Sequence, residues 1–317
     1  MNILITGGAG FIGSNIVRHC IENNLFNRIR IVDNLSTGYL NNINEYLKDP
    51  RIEFIYGDIS NLEVCRKALK NIDLICHQAA LGSVPRSFDD PLSSHISNVN
   101  GFLNIILVAK ENNIKRIVFA SSSSVYGDNS DIEKKEEHTG QLLSPYAATK
   151  KIDEIYAEIF TKCYQMEIIG LRYFNVFGPK QNKDGAYAAV IPKFITSLLA
   201  NESPSIFGDG SNSRDFTYID NVIQANLLAL TTTNPQCFGQ IFNVGCNDTY
   251  SVKNIFEIIA NQINPSIPPI YQTSRKGDIP YSKANIEKAE TLLGYCPNIN
   301  FPQGIVKTIQ WYTEQMK

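Results

Sequence analysis

Apolar residues along this chain gather in short unbroken runs. Residues 2–6, Asn-Ile-Leu-Ile-Thr, form the first, and further runs lie at 28–32, 52–56, 74–77, 116–120, 168–172 and 238–244. Short apolar runs bounded by turn signals predict strands buried on both faces. Residues 14–23, a stretch beginning near Asn61, residues 91–112 and a stretch beginning at Ser144 read as helices between them. Strands alternating with helices imply a parallel sheet that binds its ligands at the carboxyl ends of the strands. The expected class is therefore α/β, a doubly wound parallel sheet. After Asn175 the alternation is lost, and Gly178-Pro179, Asp184-Gly185 and Gly208-Asp209-Gly210 mark loops. The pattern predicts one domain over 1–175 and a smaller α/β substrate-binding domain over 176–317. Part of 216–245 is expected to fold back onto the first, since 238–244 again reads as a buried strand.

Composition narrows the chemistry. With 29 basic and 31 acidic residues the net charge is −2, which gives no electrostatic argument for nucleic acid or an anionic membrane. Cysteines at 20, 65, 76, 163, 237, 246 and 296 form no C-x-x-C pair, and the four histidines show no metal-ligand spacing with them. No metal site is expected, and the thiols read as reduced. No apolar run approaches the roughly 18 residues of a membrane span, and no secretory signal is visible. A soluble cytoplasmic protein is expected.

The first candidate site follows the first strand. Gly7, Gly10 and Gly13 are spaced G-x-x-G-x-x-G ahead of a helix. That arrangement permits a tight turn, close approach of a pyrophosphate and close packing of helix on strand. Asp33 ends the second strand twenty residues past Gly13, where an acid binds the adenosine ribose 2′-hydroxyl and repels a 2′-phosphate. The sheet is therefore expected to be Rossmann-type, with NAD rather than NADP as cofactor. Asp58 could meet the adenine amino group or cap the helix near Asn61. Gln78, Ala79 and Ala80 close the fourth strand with residues that let a cofactor lie against the backbone. His77, in an apolar run, reads as a core histidine. The charge-rich stretch Asp131 to Glu137 reads as a solvated loop.

The second candidate site is Ser144-Pro-Tyr-Ala-Ala-Thr-Lys150. Ser144 is a good N-cap and Pro145 a good first helical residue. Tyr146 and Lys150 then lie four apart on one helix face. An ammonium near a phenol favours the phenolate, a base able to take a proton from a sugar hydroxyl. The strand before it ends in Ser121-Ser-Ser-Ser-Val-Tyr-Gly127.

Together these stretches, with Leu171-Arg-Tyr-Phe-Asn175, Arg214-Asp-Phe216 and Arg275-Lys-Gly-Asp278, resemble the extended short-chain dehydrogenase/reductase family of NAD-dependent sugar-nucleotide epimerases and dehydratases. The resemblance covers essentially the whole chain. It implies that Tyr146 removes the proton of the sugar 4′-hydroxyl during a transient oxidation at carbon 4 by bound NAD. Lys150 would hold the nicotinamide ribose, and Ser122 would bond the reacting oxygen. The 4-keto sugar would turn over in the site before reduction, so NAD stays bound through turnover. Further cofactor contacts are implied for Phe11, Ile12, Asn34, Gly38, Ile59, Ser97 and Tyr173. Dehydratases and related decarboxylases carry an acid one or two residues before the Val-Tyr-Gly; here both positions are serine, Ser123 and Ser124, which favours an epimerase.

The same resemblance gives the sugar-nucleotide end. Arg214 and Arg275 match diphosphate-binding arginines, Asp278 a uridine-ribose contact and Asn175 a diphosphate contact. Gly82, Ser83, Ser122, Ser123, Tyr146, Ala189 and Val190 would line the sugar. Epimerases restricted to UDP-glucose and UDP-galactose carry a bulky tyrosine at the position of Ser282 and Asn at that of Ala189. The smaller residues here leave room for an N-acetyl group. The implied activity is a UDP-N-acetylglucosamine/UDP-N-acetylgalactosamine 4-epimerase of bacterial surface-polysaccharide type, dimerising through helices. The alternatives are a UDP-glucose or UDP-glucuronate 4-epimerase, a dehydratase, or a non-catalytic NAD sensor.

Overall fold

The computed structural model describes residues 1–183, 189–273 and 281–316. Seven strands form one parallel sheet in the spatial order Ile241–Val244, Glu167–Tyr173, Arg116–Ser122, Leu74–His77, Asn2–Thr6, Arg28–Asp33, Ile52–Tyr56. Chain order reverses between Asn2–Thr6 and Leu74–His77, the point at which such a sheet opens a ligand crevice. Register brings the strand ends to one edge: Thr6 lies opposite Val32 and His77, Asp33 opposite Tyr56, and Ser122 opposite Tyr173.

The unbroken apolar runs are explained by burial on both faces. Ile3 and Ile5 pack into one core cluster and Leu4 into another on the opposite face, as the two-residue period of a strand demands. Helices Phe11–Glu22 and Ile219–Thr231 lie together on one face; Leu62–Ala68 packs against Gly101–Glu111 on the other.

The helix expected over 91–112 is interrupted. Pro91–His95 runs into a π turn at Ile96–Asn100 before Gly101–Glu111 continues. The wide turn accommodates Asn98, fully buried, whose carboxamide oxygen accepts the Leu81 N–H at 2.8 Å while its NH₂ donates to Thr149 Oγ1 at 3.0 Å. One asparagine thus ties the chain after Gln78 to the helix bearing Tyr146, a use typical of π turns near functional sites.

Beyond residue 175 the strands are short. Tyr250–Ser251, Ser213–Arg214, Tyr281–Ala284 and Glu133–Lys134 make a four-stranded sheet, and two pairs stand apart. Here the solvated-loop reading of Asp131 to Glu137 is corrected for Lys134 and Glu136; the other five residues of the stretch are exposed. Lys134 is buried and its ammonium donates to the Asn129 carbonyl at 2.6 Å. Glu136 is buried and accepts the Asn243 N–H at 2.8 Å. The charges satisfy backbone groups where the stretch pairs with Tyr281–Ala284.

Candidate active site

The glycine loop depends on clearances that a side chain would close. Gly7 has φ +66°, and a Cβ there would lie 2.7 Å from the Ala79 backbone; one on Gly13 would lie 2.2 Å from the Gly7 carbonyl oxygen. Gly10 N–H donates to Gly7 C=O at 3.0 Å. This turn starts the helix at Phe11, ahead of the expected Ser14. The helix's first N–H groups, unpaired within it, therefore face the strand edge. Asp33 is buried, with Oδ2 accepting the Ala9 N–H at 2.9 Å and Oδ1 the Leu35 N–H at 2.8 Å. Burial pushes this carboxyl above its ordinary value, against the pull of those amides.

A cavity of about 470 Å³ runs along this edge. Of the expected cofactor residues it is lined by Gly7, Gly10, Phe11, Ile12, Gly13, Asp33, Asn34, Asp58, Ile59, Gln78, Ala79, Ala80, Ser97, Tyr146, Lys150 and Tyr173. Gly38 lies outside the lining; a Cβ there would lie 2.8 Å from the Ala9 backbone, so it packs its loop onto the glycine turn. Asp58 is not the helix cap: Asn61 caps Leu62–Ala68, accepting the Glu63 N–H at 2.9 Å, while Asp58 receives the Asn34 amide at 2.8 Å. A buried acid at the second strand end, a glycine-cleared backbone and a helix N-terminus together fit a dinucleotide with a free 2′-hydroxyl.

Helix Pro145–Tyr164 begins as its sequence predicts. Ser144 Oγ accepts the Ala147 N–H at 3.1 Å, and Pro145 takes the first helical position. Tyr146 and Lys150 both reach the cavity. Lys150 is buried, and its ammonium donates to the Ala120 carbonyl at 2.8 Å. Ala120 and Ser121 line the cavity, while Ser122 and Ser123 stand just beyond the lining. Ser122 Oγ accepts the Ser124 N–H at 3.1 Å and so caps the turn Ser123–Tyr126. Among the described lining residues the carboxylates are Asp33, at the end of the second strand, and Asp58, two residues past the third; the Tyr146 end has none.

Gly82, Ser83 and Ala189 also line this cavity. Ser83 holds φ +107°, a rare conformation for a side-chain-bearing residue. Ala189 and Gln181 are shared with a second cavity of about 680 Å³ that includes Asn175, Val190 and Arg214. Phe177, Phe194, Phe207 and Phe216 give it an aromatic wall. Ser282 lies opposite Arg214 in the strand register. Arg275 and Asp278 fall outside the described residues. Asp215, beside Arg214, is a structural anchor: fully buried, it accepts the Cys246 N–H at 2.8 Å and the Ala284 N–H at 3.3 Å.

His77 is the core histidine expected. It is buried against Phe102, meets Thr6 Oγ1 at 2.9 Å, and desolvation pulls it down to about 3, leaving it neutral. Sequence reasoning missed Asn226, whose amide engages Gln78 at 3.0 Å and the Tyr173 hydroxyl at 2.8 Å, fixing both at the cavity. A lone asparagine in the apolar run Ala225-Asn-Leu-Leu-Ala-Leu230 was its signal. It also gave no role to Arg86 in the first cavity, which lies in the stretch Leu81 to Ser87 with Gly82 and Ser83, and missed Lys193 and Phe207 in the second, which no motif marked. Among the described residues no cluster of His, Cys, Asp or Glu could hold a metal ion, and no helix is long and apolar enough to cross a membrane.

Residues 3–245 match the model of the NAD dependent epimerase/dehydratase family. The chain belongs to that family. NAD is accordingly its cofactor, supplying an oxidant and reductant at one carbon when bound. The chain is 32% identical to UDP-glucose 4-epimerase of Mycolicibacterium smegmatis over 98% of both chains. The solved UDP-N-acetylglucosamine 4-epimerase of Methanobrevibacter ruminantium, in complex with UDP-N-acetylmuramic acid, is 38% identical, covers 99% of each chain and superposes with a TM-score of 0.93. The UDP-glucuronic acid 4-epimerase of Bacillus cereus, in complex with its sugar nucleotide and NAD, is 30% identical, with a TM-score of 0.91 over 99% of this chain and all of that one.

Proposed function

We propose that this protein interconverts UDP-N-acetylglucosamine and UDP-N-acetylgalactosamine. It is a UDP-sugar 4-epimerase, an NAD-dependent isomerase. The observation that carries this is the juxtaposition of Tyr146 and Lys150 in a glycine-cleared cofactor cavity with no carboxylate at that end among its described lining residues. Elimination needs an acid or base there, whereas inversion at carbon 4 needs only the tyrosine and the cofactor. Tyr146 takes the 4′-hydroxyl proton and returns it; Lys150 holds the ribose. Ser122, on the turn after Ala120, bonds the reacting oxygen. Arg214 meets the diphosphate with Asn175, and the phenylalanine-walled cavity receives the uracil.

The N-acetyl preference rests on volume: Ala189, at the junction of the two cavities, and Ser282, beside Arg214, are both small. Arg86 favours a second reading, since a cation in the first cavity suits a uronate. Steady-state kinetics on UDP-N-acetylglucosamine, UDP-glucose and UDP-glucuronate decide the matter. The largest kcat/KM is expected for the acetylated sugar, and Ser282→Tyr should abolish that activity while sparing UDP-glucose. A larger kcat/KM for either other sugar would refute the volume argument.

The working unit is a cytoplasmic homodimer. Leu92 on helix Pro91–His95, Ile96 at the start of the π turn, and Ile155 and Ile159 on helix Pro145–Tyr164 stand exposed, a face suited to a second copy. Light scattering should give twice the chain mass; a monomer at working concentration would refute this.

A further inference from the structure

Asp153 is a buried acid that the roles above leave unused. It lies one turn after Lys150 on helix Pro145–Tyr164, and both side chains are almost wholly enclosed, at 1% and 2% exposure. Oδ2 is 3.7 Å from the Lys150 ammonium, an ion contact beyond hydrogen-bond reach, and neither carboxyl oxygen has a hydrogen-bond partner. An acid so placed is costly to keep ionised. Burial pushes it up to about 7, against the pull of Lys150 and with a push from Glu154.

The surroundings limit what else can act on it. Glu154 is engaged by Ser121 at 2.7 Å and by Arg172 of the neighbouring strand at 2.8 Å and 2.9 Å. From strand Leu74–His77, neutral His77 faces Lys150. On the packed helices, Asp89, His95, Lys110 and Glu111 are exposed, and Arg86 belongs to the cavity wall. Tyr126 is engaged with Asn243 at 2.6 Å, and Arg116 with Glu167. Lys150 therefore has two neighbours of opposite consequence: the cavity holding Tyr146, and an acid on its interior side.

We propose that Asp153 is a positioning residue for Lys150: it holds the ammonium against the Ala120 carbonyl and, on ionising, draws off part of the charge that Lys150 presents to Tyr146. The acid side of the activity profile then reports Asp153 as well as the tyrosine. This rests on Tyr146 as the base, so the experiment carries its own control.

kcat and KM are measured across pH for the NAD-loaded wild type, Asp153→Asn, Asp153→Ser and Tyr146→Phe, with bound NAD quantified after denaturation. Removing the carboxylate leaves the lysine charge undivided, so the phenolate persists to lower pH. Because Asp153 is charged only above about pH 7, the wild-type acid limb of kcat is expected there, and its midpoint should fall by about 0.5–1 pH unit in Asp153→Asn, with KM within about twofold and NAD content unchanged. A limb that stays in place while activity drops equally at every pH, or one that moves up, overturns the proposal. If Asp153→Asn does not fold, Asp153→Ser gives the same reading; if neither folds with NAD, Asp153 serves the fold alone and the proposal is overturned. An inactive Tyr146→Phe with an unmoved Asp153→Asn limb refutes only Asp153. An active Tyr146→Phe removes the base and this proposal with it.

Discussion

The two halves of the site are built by different means. On the cofactor side, backbone does the positioning: strand ends in fixed register, a turn closed by Gly10 on Gly7, and clearances of 2.2–2.7 Å that no Cβ could occupy. On the side proposed for the sugar nucleotide, the strands span only two to four residues and side chains do the holding. Asp215 clamps the chain near 246 and 284, and the Asn175 amide, from φ +26°, donates to the Asp215 carbonyl at 2.8 Å. A cofactor retained through turnover suits the first kind of construction. A sugar that must enter, turn and leave suits the second, because side chains can be changed singly without unmaking a sheet.

Tyr146, in the first cavity, should show the largest effect. Tyr146→Phe should lower kcat by about 10²–10⁴ with NAD retained, the cost of losing one positioned base; loss of NAD together with activity would make the residue a cofactor anchor instead. Gly13→Ala should come next and strike the cofactor half alone. A Cβ 2.2 Å from the Gly7 carbonyl must open the turn, so purified protein should carry markedly less NAD and unfold at lower temperature, the strain costing about 1–3 kcal/mol. Full NAD content would break the contrast between the halves. Arg214→Ala should be the mildest, raising KM for the UDP-sugar by about 10–100-fold, as a charged hydrogen bond of roughly 1.5–3 kcal/mol implies. NAD content should not change, and an unchanged KM would remove Arg214 from the diphosphate site.

The same contrast explains what the sequence made legible. Backbone construction leaves a spaced signature, so Gly7, Gly10, Gly13, Asp33 and the Ser144 cap with its Tyr146–Lys150 pair could be read directly. Side-chain construction leaves single residues. Asn98 and Asn226 hold the site from within helices; Asn226 is betrayed only as a polar residue among apolar neighbours, and Asn98, between Ser97 and Asn100, by nothing in the sequence. The π turn at Ile96–Asn100 keeps the helical pattern of its flanks and so stayed hidden. Lys134 and Glu136 looked solvated because charge in sequence says nothing of the carbonyl or amide a fold will bring to it. Asp58 was ambiguous until Asn61 proved to be the cap.

The central claim is inversion at sugar carbon 4 by an enzyme that keeps its own cofactor. Proton NMR of the purified protein with UDP-N-acetylglucosamine and no added NAD tests it in one tube. The account predicts that the anomeric signal of UDP-N-acetylgalactosamine grows to a constant ratio. Protein shown to hold NAD that leaves UDP-N-acetylglucosamine, UDP-glucose and UDP-glucuronate all unchanged would contradict it.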